Sequence, residues 1–335
     1  MDFHLEFTPK PFAQKINHQQ PLFLIGSCFT ENIGTKLKQH KFSVLENPNG
    51  ILFNPASIAK SVVSYIQNKT YSEADLFYQN ESWNSWEHHS RFSHPDKQTS
   101  LQMINQSQQQ AHQFLKKAQW ILITVGSAFV YELVDGVTPL SINGNDKMVA
   151  NCHKVPTDKF NKILLSIDAV KELLNQMLQQ LFAFNSSIKV IFTISPVRHL
   201  RDGFVENNRS KSTLVQAIHQ LADADERLLY FPAYELVIDD LRDYRFFAED
   251  MVHPNYAATN YVWEKFVAAC IDESSQHLMK EINVINAAMN HKPFNPASAA
   301  HKKFLQSHFE KLLKLKVQAP YIDFTMEEKY FSTDL

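Results

Sequence analysis

The apolar runs of this 335-residue chain predict an α/β fold, a three-layer α/β/α sandwich around a mostly parallel, five-stranded sheet. Three observations carry that expectation. The runs at 22–25, 120–125 and 188–194 have strand length and are continuous rather than alternating, as in strands covered on both faces. Segments of helical periodicity lie between the runs, so strands and helices alternate along the chain. The runs end at Gly26-Ser27, Gly126-Ser127 and Ser195-Pro196, residues that break a strand. In open parallel sheets the site lies outside the carboxyl ends of the strands, where these three endings fall.

The elements follow in order. Residues 1–21 form an entry segment in which Pro9, Pro11 and Pro21 prevent a long helix. The stretch 22–30 reads as a buried strand, a glycine turn, a Ser-Cys couplet and the start of a helix with Phe29, Ile33 and Leu37 on one face. A short strand at 42–46, the turn cluster Asn47-Pro48-Asn49-Gly50 and a helix over about 55–67 come next. Residues 70–98 carry Trp83, Trp86, His88, His89, Phe92 and His94, and read as a long irregular loop or a strand pair. A glutamine-rich helix covers 100–117. A hairpin over 129–144 turns at Asp135-Gly136. A long helix opens at Thr157, with Phe160, Ile163, Leu164, Ile167, Val170 and Leu174 at helical spacing. Residues 212–222 read as a helix, 228–231 as the fifth strand and 234–241 as a short helix. The loop 249–254 then leads, through Pro254 in a first turn, to a helix over 256–271. This gives an α/β domain over 1–272 and an amphipathic helical extension over 273–335. Phe304, Phe309, Leu312 and Leu313 of the extension pack on the core or form a homodimer through the C-terminal helices.

Composition narrows the function. The chain holds 33 Lys and Arg against 35 Asp and Glu, so no strong field points to nucleic acid or an anionic membrane. No apolar run has the length of a membrane span, and the first ten residues lack the pattern of a secretory signal. Three cysteines without metal-ligand spacing, Cys28, Cys152 and Cys270, read as reduced thiols in a cytoplasmic protein.

Two local arrangements carry chemistry. Ser27 and Cys28 stand where a helix N-terminus favours an anion, so either could be a nucleophile. The alternative is that Ser27 caps the helix and Cys28 is a small buried apolar group. Asp250 and His253, three apart in a tight loop, suit a carboxylate that orients an imidazole. The spacings of His88, His89, His94, His153 and His199 match no zinc signature, and no metal is expected. Arg198, Asn208, Arg209 and Lys211 follow the fourth strand, either gripping a substrate carboxylate or phosphate or lying in a solvated loop.

Five motifs in order, Gly26-Ser27-Cys28-Phe29, Asn49-Gly50-Ile51-Leu52-Phe53-Asn54-Pro55, Asn151-Cys152-His153-Lys154, Ile194-Ser195-Pro196-Val197-Arg198-His199 and Asp250-Met251-Val252-His253-Pro254, resemble those of the GSCFA family. That family resembles the SGNH, or GDS-type, hydrolases, over about residues 20–272 of this chain. The resemblance implies an SGNH-like fold and an esterase or acyltransferase acting on an ester or thioester, on a small molecule or a carbohydrate, with no cofactor. Laid on the Gly-Asp-Ser block, Gly26 matches Gly, Ser27 matches Asp and Cys28 falls on the nucleophilic Ser. His253 is then general base and acid, and Asp250 orients it. Gly50 matches the second-block oxyanion glycine. The third block, Gly126-Ser127-Ala128-Phe129, lacks the expected Asn, so Ser127 and Asn151 become oxyanion candidates. His88, His89, Arg198, His199 and Asn54 are the substrate-binding candidates. The rival expectation is a catalytically weak or inactive carbohydrate- or acyl-binding module, with Trp83, Trp86 and the neighbouring histidines lining its surface.

Overall fold

The computed structural model describes residues 5–134 and 148–332. The strands are β1 (Leu22–Gly26), β2 (Val44–Glu46), β3 (Phe77–Gln79), β4 (Ser82–Asn84), β5 (Trp120–Val125), β6 (Phe129–Leu133), β7 (Met148–Val149), β8 (Phe160–Leu164), β9 (Lys189–Ile194) and β10 (Leu228–Tyr230). Five of them, in the order β10-β9-β5-β1-β2, make one parallel sheet. The helices are α1 (Cys28–Gln39), α2 (Pro55–Gln67), α3 (Lys97–Lys117), α4 (Ile167–Phe184), α5 (Gly203–Ala222), α6 (Ala233–Glu235), α7 (Tyr256–Cys270), α8 (Glu273–Met289), α9 (Ala299–Gln318) and α10 (Thr325–Ser332).

Burial on both faces explains why the strands read as unbroken apolar runs. Phe23 and Ile25 of β1, Ile121, Ile123 and Val125 of β5, and Val190, Phe192 and Ile194 of β9 lie in one core with α2, α3, α4 and α5. Leu22, Leu24, Trp120, Leu122 and Ile191 lie in a second core with α1, α6 and α7. Each fully buried Leu, Ile or Phe contributes roughly 1.5–3 kcal/mol. The result is an α/β/α sandwich. The chain runs outward in opposite directions from β1, to β2 on one side and to β5, β9 and β10 on the other. That reversal opens a crevice between the loops that follow β1 and β5, the usual ligand position in such sheets.

Several expectations need correction. Residues 157–164 do not begin a helix. Thr157–Lys159 is a 3-10 turn, and Phe160–Leu164 is strand β8, paired antiparallel with β6. The helix starts only at Ile167, because Ser166 caps it by accepting from Ala169 N. Helix α5 begins nine residues earlier than 212, so Asn208, Arg209 and Lys211 are helical rather than in a loop. The 70–98 stretch, read as an irregular loop or a strand pair, does hold a strand pair, the β3–β4 hairpin, with Asn80 and Glu81 both at positive φ in its turn. Pro254 precedes helix α7 rather than entering it, since Asn255 is the cap. Of the 129–144 hairpin, β6 pairs with β7 at Tyr131↔Val149, while the turn at Asp135-Gly136 lies outside the described residues.

Helices α8, α9 and α10 share their own apolar cluster, in which Leu278, Ile282 and Ile285 meet Leu305, Leu312, Leu315, Phe324 and Phe331. Phe304 and Phe309 pack against it, while Leu313 faces outward at 41% exposure. The unit is tied to the α/β core by Asn286 Nδ2 donating to Gln39 O (2.8 Å), by the Lys41–Glu327 ion pair (2.5 Å) and by His18 N donating to Ser275 Oγ (3.2 Å). No helix among the described residues is long and apolar enough to cross a membrane.

Candidate active site

Strand β1 delivers the Ser-Cys couplet through a backbone that only glycine can adopt. Gly26 has φ +149°, and a Cβ there would stand 2.3 Å from Thr124 O of the neighbouring strand. Ser27 is the N-cap of α1, buried, its Oγ accepting from Phe29 N at 3.2 Å. Cys28, half-buried, is the first residue of the helix. Burial pushes its thiol up. The amides of Phe29 and of Cys28 itself pull it down, Glu31 adds an upward push and Lys211 a downward one. The serine oxygen accepts the cap bond, which leaves its O–H proton uncommitted, and the thiol sits on the first residue of the helix.

The Asp250–His253 pair forms as the spacing predicts. His253 Nδ1 and Asp250 Oδ2 are 2.7 Å apart. Asp250 Oδ1 accepts from Val252 N (2.9 Å) and His253 N (3.0 Å), so the carboxylate is fixed before it meets the ring. Those contacts, the His253 amide first, hold the Asp250 carboxyl down at about 2. The turn is closed by Ala248 N donating to His253 O, with Met251 at φ +57°. Arg198 N donates to Val252 O at 3.1 Å, which ties the turn to the loop after β9.

Beside this turn lies a cavity of about 610 Å³. Asn54, His89, Ser127, Asn151, Arg198 and His199, six of the sequence candidates, line it, together with Val252 of the Asp-His turn. Phe53, Phe129 and Tyr131 give it aromatic walls. The Arg198 guanidinium rests on Phe247, 4.0 Å from the ring centre, and the His199 ring stacks on Phe53 at 4.8 Å. Burial, with the charges of Lys211 and His253, drives His199 down to about 3, so it is neutral at physiological pH.

Other candidates are placed against their expected roles. His88 is wholly buried, with Nδ1 at 2.9 Å from Ser85 Oγ and its ring against Tyr71 and Phe92, and does not line the cavity. Gly50 has φ +81°, and a Cβ there would meet His89 Cβ at 2.2 Å, so the position needs glycine, but its N–H donates to Asn47 O and is not free for an oxyanion. Gly126 N and Ser127 N both donate to Phe53 O, and Ser127 Oγ lies 3.2 Å from Ser210 Oγ. Asn151 Oδ1 accepts from His153 N, and Asn54 Oδ1 caps α2 through Ser57 N, so only their amide NH2 groups remain for a ligand. Trp86 is buried face to face on Phe77 at 3.7 Å and offers no recognition surface.

Sequence reasoning missed the buried polar face of α5. Asn207, Ser210, Lys211 and Leu214 repeat at i, i+3, i+4 and i+7, a core-facing stripe that carries three polar groups. Asn207 Oδ1 accepts from His199 N (2.8 Å), and Ser210 Oγ accepts from Ala128 N (2.8 Å). Lys211 Nζ donates to Gly126 O (2.7 Å) and Ser195 O (2.6 Å). Helix α5 thereby holds the loops after β5 and β9 beneath the cavity. Ser27, Cys28, Asp250 and His253 are not themselves among the residues lining the cavity, and the hydrogen bonds of His253 run to Asp250 and Ala248 rather than to the Ser-Cys couplet.

A carbohydrate esterase family 3 protein from Talaromyces cellulolyticus, known as a crystal structure, is similar to this chain at a TM-score of 0.36 and 11% identity. The likeness covers 79% of this chain and 99% of that one. No curated protein matches the sequence. The model of the GSCFA family matches residues 21–266, and that of the GSCFA domain protein C-terminal domain matches residues 282–335. The first match spans the whole parallel sheet and both halves of the candidate site, and the chain belongs to the GSCFA family.

Proposed function

We propose that this protein is an SGNH-like esterase or acyltransferase that acts on an ester or thioester, on a small molecule or a carbohydrate. The observation that carries the reading is the fixed Asp250–His253 pair, with Nδ1 to Oδ2 at 2.7 Å. With Nδ1–H given to the carboxylate, Nε2 is the ring nitrogen free to take a proton. In this reading Cys28 attacks the acyl carbonyl and forms an acyl-enzyme, His253 accepts the thiol proton, and the same proton later passes to the leaving group. Ser27 is the second choice, because its hydroxyl is buried in the cap. The N–H groups at the start of α1 would hold the oxyanion. In this reading residues 1–272 would supply the chemistry and residues 273–335 would extend it, helices α8, α9 and α10 lying within 273–332, with association through those helices as an expectation for light scattering. A free thiol nucleophile belongs in a reducing compartment, which fits a cytoplasmic protein.

The rival reading, a binding module without turnover, draws support from the amides of Gly50, Gly126 and Ser127, all spent inside the fold. One missing oxyanion donor costs about 10²–10³ in rate. The test is hydrolysis of p-nitrophenyl acetate and acyl transfer from acetyl-CoA by the wild type and by Cys28→Ala, Ser27→Ala and His253→Ala. Loss of activity in Cys28→Ala and His253→Ala, with an acyl adduct located on Cys28 by mass spectrometry, supports catalysis. One background rate for all four proteins over a broad acyl panel sinks it in favour of the binding module.

A further inference from the structure

The loop after β9 brings two arginines, Arg198 and Arg201, to the wall of the cavity of about 610 Å³. A third cation, Lys162, lines the same cavity but is neutralised by an ion pair with Asp202. The arginines have no such partner: among the described residues no carboxylate lies within ion-pair distance of either guanidinium. Arg198 is held by stacking instead, its guanidinium carbon 4.9 Å from the Tyr244 ring centre and 4.0 Å from that of Phe247. Its Nη1 is buried with no hydrogen-bond partner, and so is Nε2 of the adjacent His199, which lines the same cavity. A buried donor left unpaired is costly, and a guanidinium cannot shed its charge to escape that cost. Stacking fixes the plane of Arg198 without using its N–H groups, which leaves a pre-organised fork of donors for an anion.

We propose that the cavity takes a phosphate group carried by the substrate, held by Arg198 and Arg201. The proposal rests on the reading of this cavity as the substrate cavity and names the class: an ester or thioester whose non-acyl part is phosphorylated. Two uncompensated guanidinium charges match a phosphate monoester, which bears about −1.5 to −2 at pH 7 and three acceptor oxygens, better than they match a singly charged carboxylate. The aromatic walls, Phe53, Phe129 and Tyr131, suit an apolar or planar ring next to the phosphate. Arg198 N donates to Val252 O at 3.1 Å, and Val252 directly precedes His253. The phosphate therefore sits beside the Asp-His turn rather than in it. His253 and Cys28, which do not line the cavity, are left for the acyl end of the molecule.

The experiment is isothermal titration calorimetry of phenyl phosphate, benzoate and phenol at pH 7 into the wild type, Arg198→Gln, Arg201→Gln and Arg209→Gln. It needs no turnover, so phosphate binding by a protein without esterase activity keeps the subsite and sinks only the catalytic reading. The wild type is expected to bind phenyl phosphate about tenfold more tightly than benzoate, and phenol more weakly still. Arg198→Gln and Arg201→Gln each weaken phenyl phosphate by about tenfold. Arg209→Gln removes the same charge from a side chain that is paired with Glu206 and lies outside the cavity, and leaves the affinity unchanged. No binding of phenyl phosphate by the wild type at millimolar concentration overturns the proposal, as does benzoate bound equally well. An equal loss in Arg209→Gln also overturns it, since that is the mark of a diffuse field. Arg201 is exposed, so Arg201→Gln still decides should loss of the stack on Phe247 unfold Arg198→Gln. Unchanged affinity in Arg201→Gln overturns the two-arginine grip.

Discussion

The Asp250 carboxylate receives two backbone N–H groups on one oxygen and the His253 ring on the other. The pair is half exposed, so its value lies in geometry rather than in stability. An amide in place of the carboxylate would present an NH2 donor or a weaker acceptor to Nδ1 and free the ring to take the other tautomer. Asp250→Asn is therefore expected to lower kcat by on the order of 10³ while leaving the thermal midpoint unchanged. Steady-state kinetics beside a melting curve check it, and undiminished kcat would remove Asp250 from the mechanism. Gly26 works in the opposite sense. Its substitution by Ala places a methyl against Thr124 O at 2.3 Å and strains a positive φ, so stability falls by about 3 kcal/mol or more, measured by urea unfolding. An unchanged unfolding midpoint would show that β1 and β5 can separate there at little cost.

At the scale of elements, helix α5 is the piece that joins sheet to site. Its Asn207 and Ser210 meet backbone N–H groups of His199 and Ala128, and both side chains are buried. Asn207→Ala leaves the His199 amide without its partner and is expected to cost about 1–3 kcal/mol and to loosen the loop that carries Arg198 and His199. Hydrogen exchange at residues 195–200 measures that loosening directly, and exchange as slow as in the wild type would count against the clamp. The same helix marks the limit of what the sequence displays. Strands β1, β5 and β9 were legible because burial on both faces leaves an uninterrupted apolar signature. Asp250 and His253 were legible because their contact is local, three residues apart. Lys211 was not, because a polar residue in a stretch such as Glu206-Asn207-Asn208-Arg209-Ser210-Lys211 reads as solvated until the carbonyls of Gly126 and Ser195, far away in sequence, are placed above it. The stretch 160–164 failed for a related reason. Phe160, Ile163 and Leu164 continue the spacing of α4, and only the pairing with β6 and the cap at Ser166 turn them into a strand.

For the molecule as a whole, buried histidines contribute to the response to acid, beside Glu87, where, against burial, the charges of Lys60 and Lys69 hold the carboxyl down at about 2. His88 and His199 are both lowered from 6.5 to about 3, chiefly by burial, while His18, His40 and His153 are lowered for the same reason. In the unfolded chain each takes up a proton as the pH falls below about 6.5, whereas the folded protein keeps His88 and His199 neutral down to about 3. The unfolded state thus binds more protons throughout that window, and stability rises with pH across it. The contribution is fully present above about 6.5 and is lost as the pH drops toward 3. For the fully buried His88, with a shift of this size, the loss amounts to roughly 3–5 kcal/mol across the window. His88 makes few polar contacts, the bond with Ser85 Oγ being the main one, so His88→Gln removes the titration while keeping a polar group near that hydroxyl. Urea unfolding measured in steps from pH 7.5 to 4 should show a steep fall in the wild type and a shallower one in His88→Gln, even though the variant starts from a lower stability at pH 7.5. Parallel slopes for the two proteins would mean that His88 is hydrated in solution and that its burial among Tyr71, Phe92 and Ser85 does not govern the acid limit of the fold.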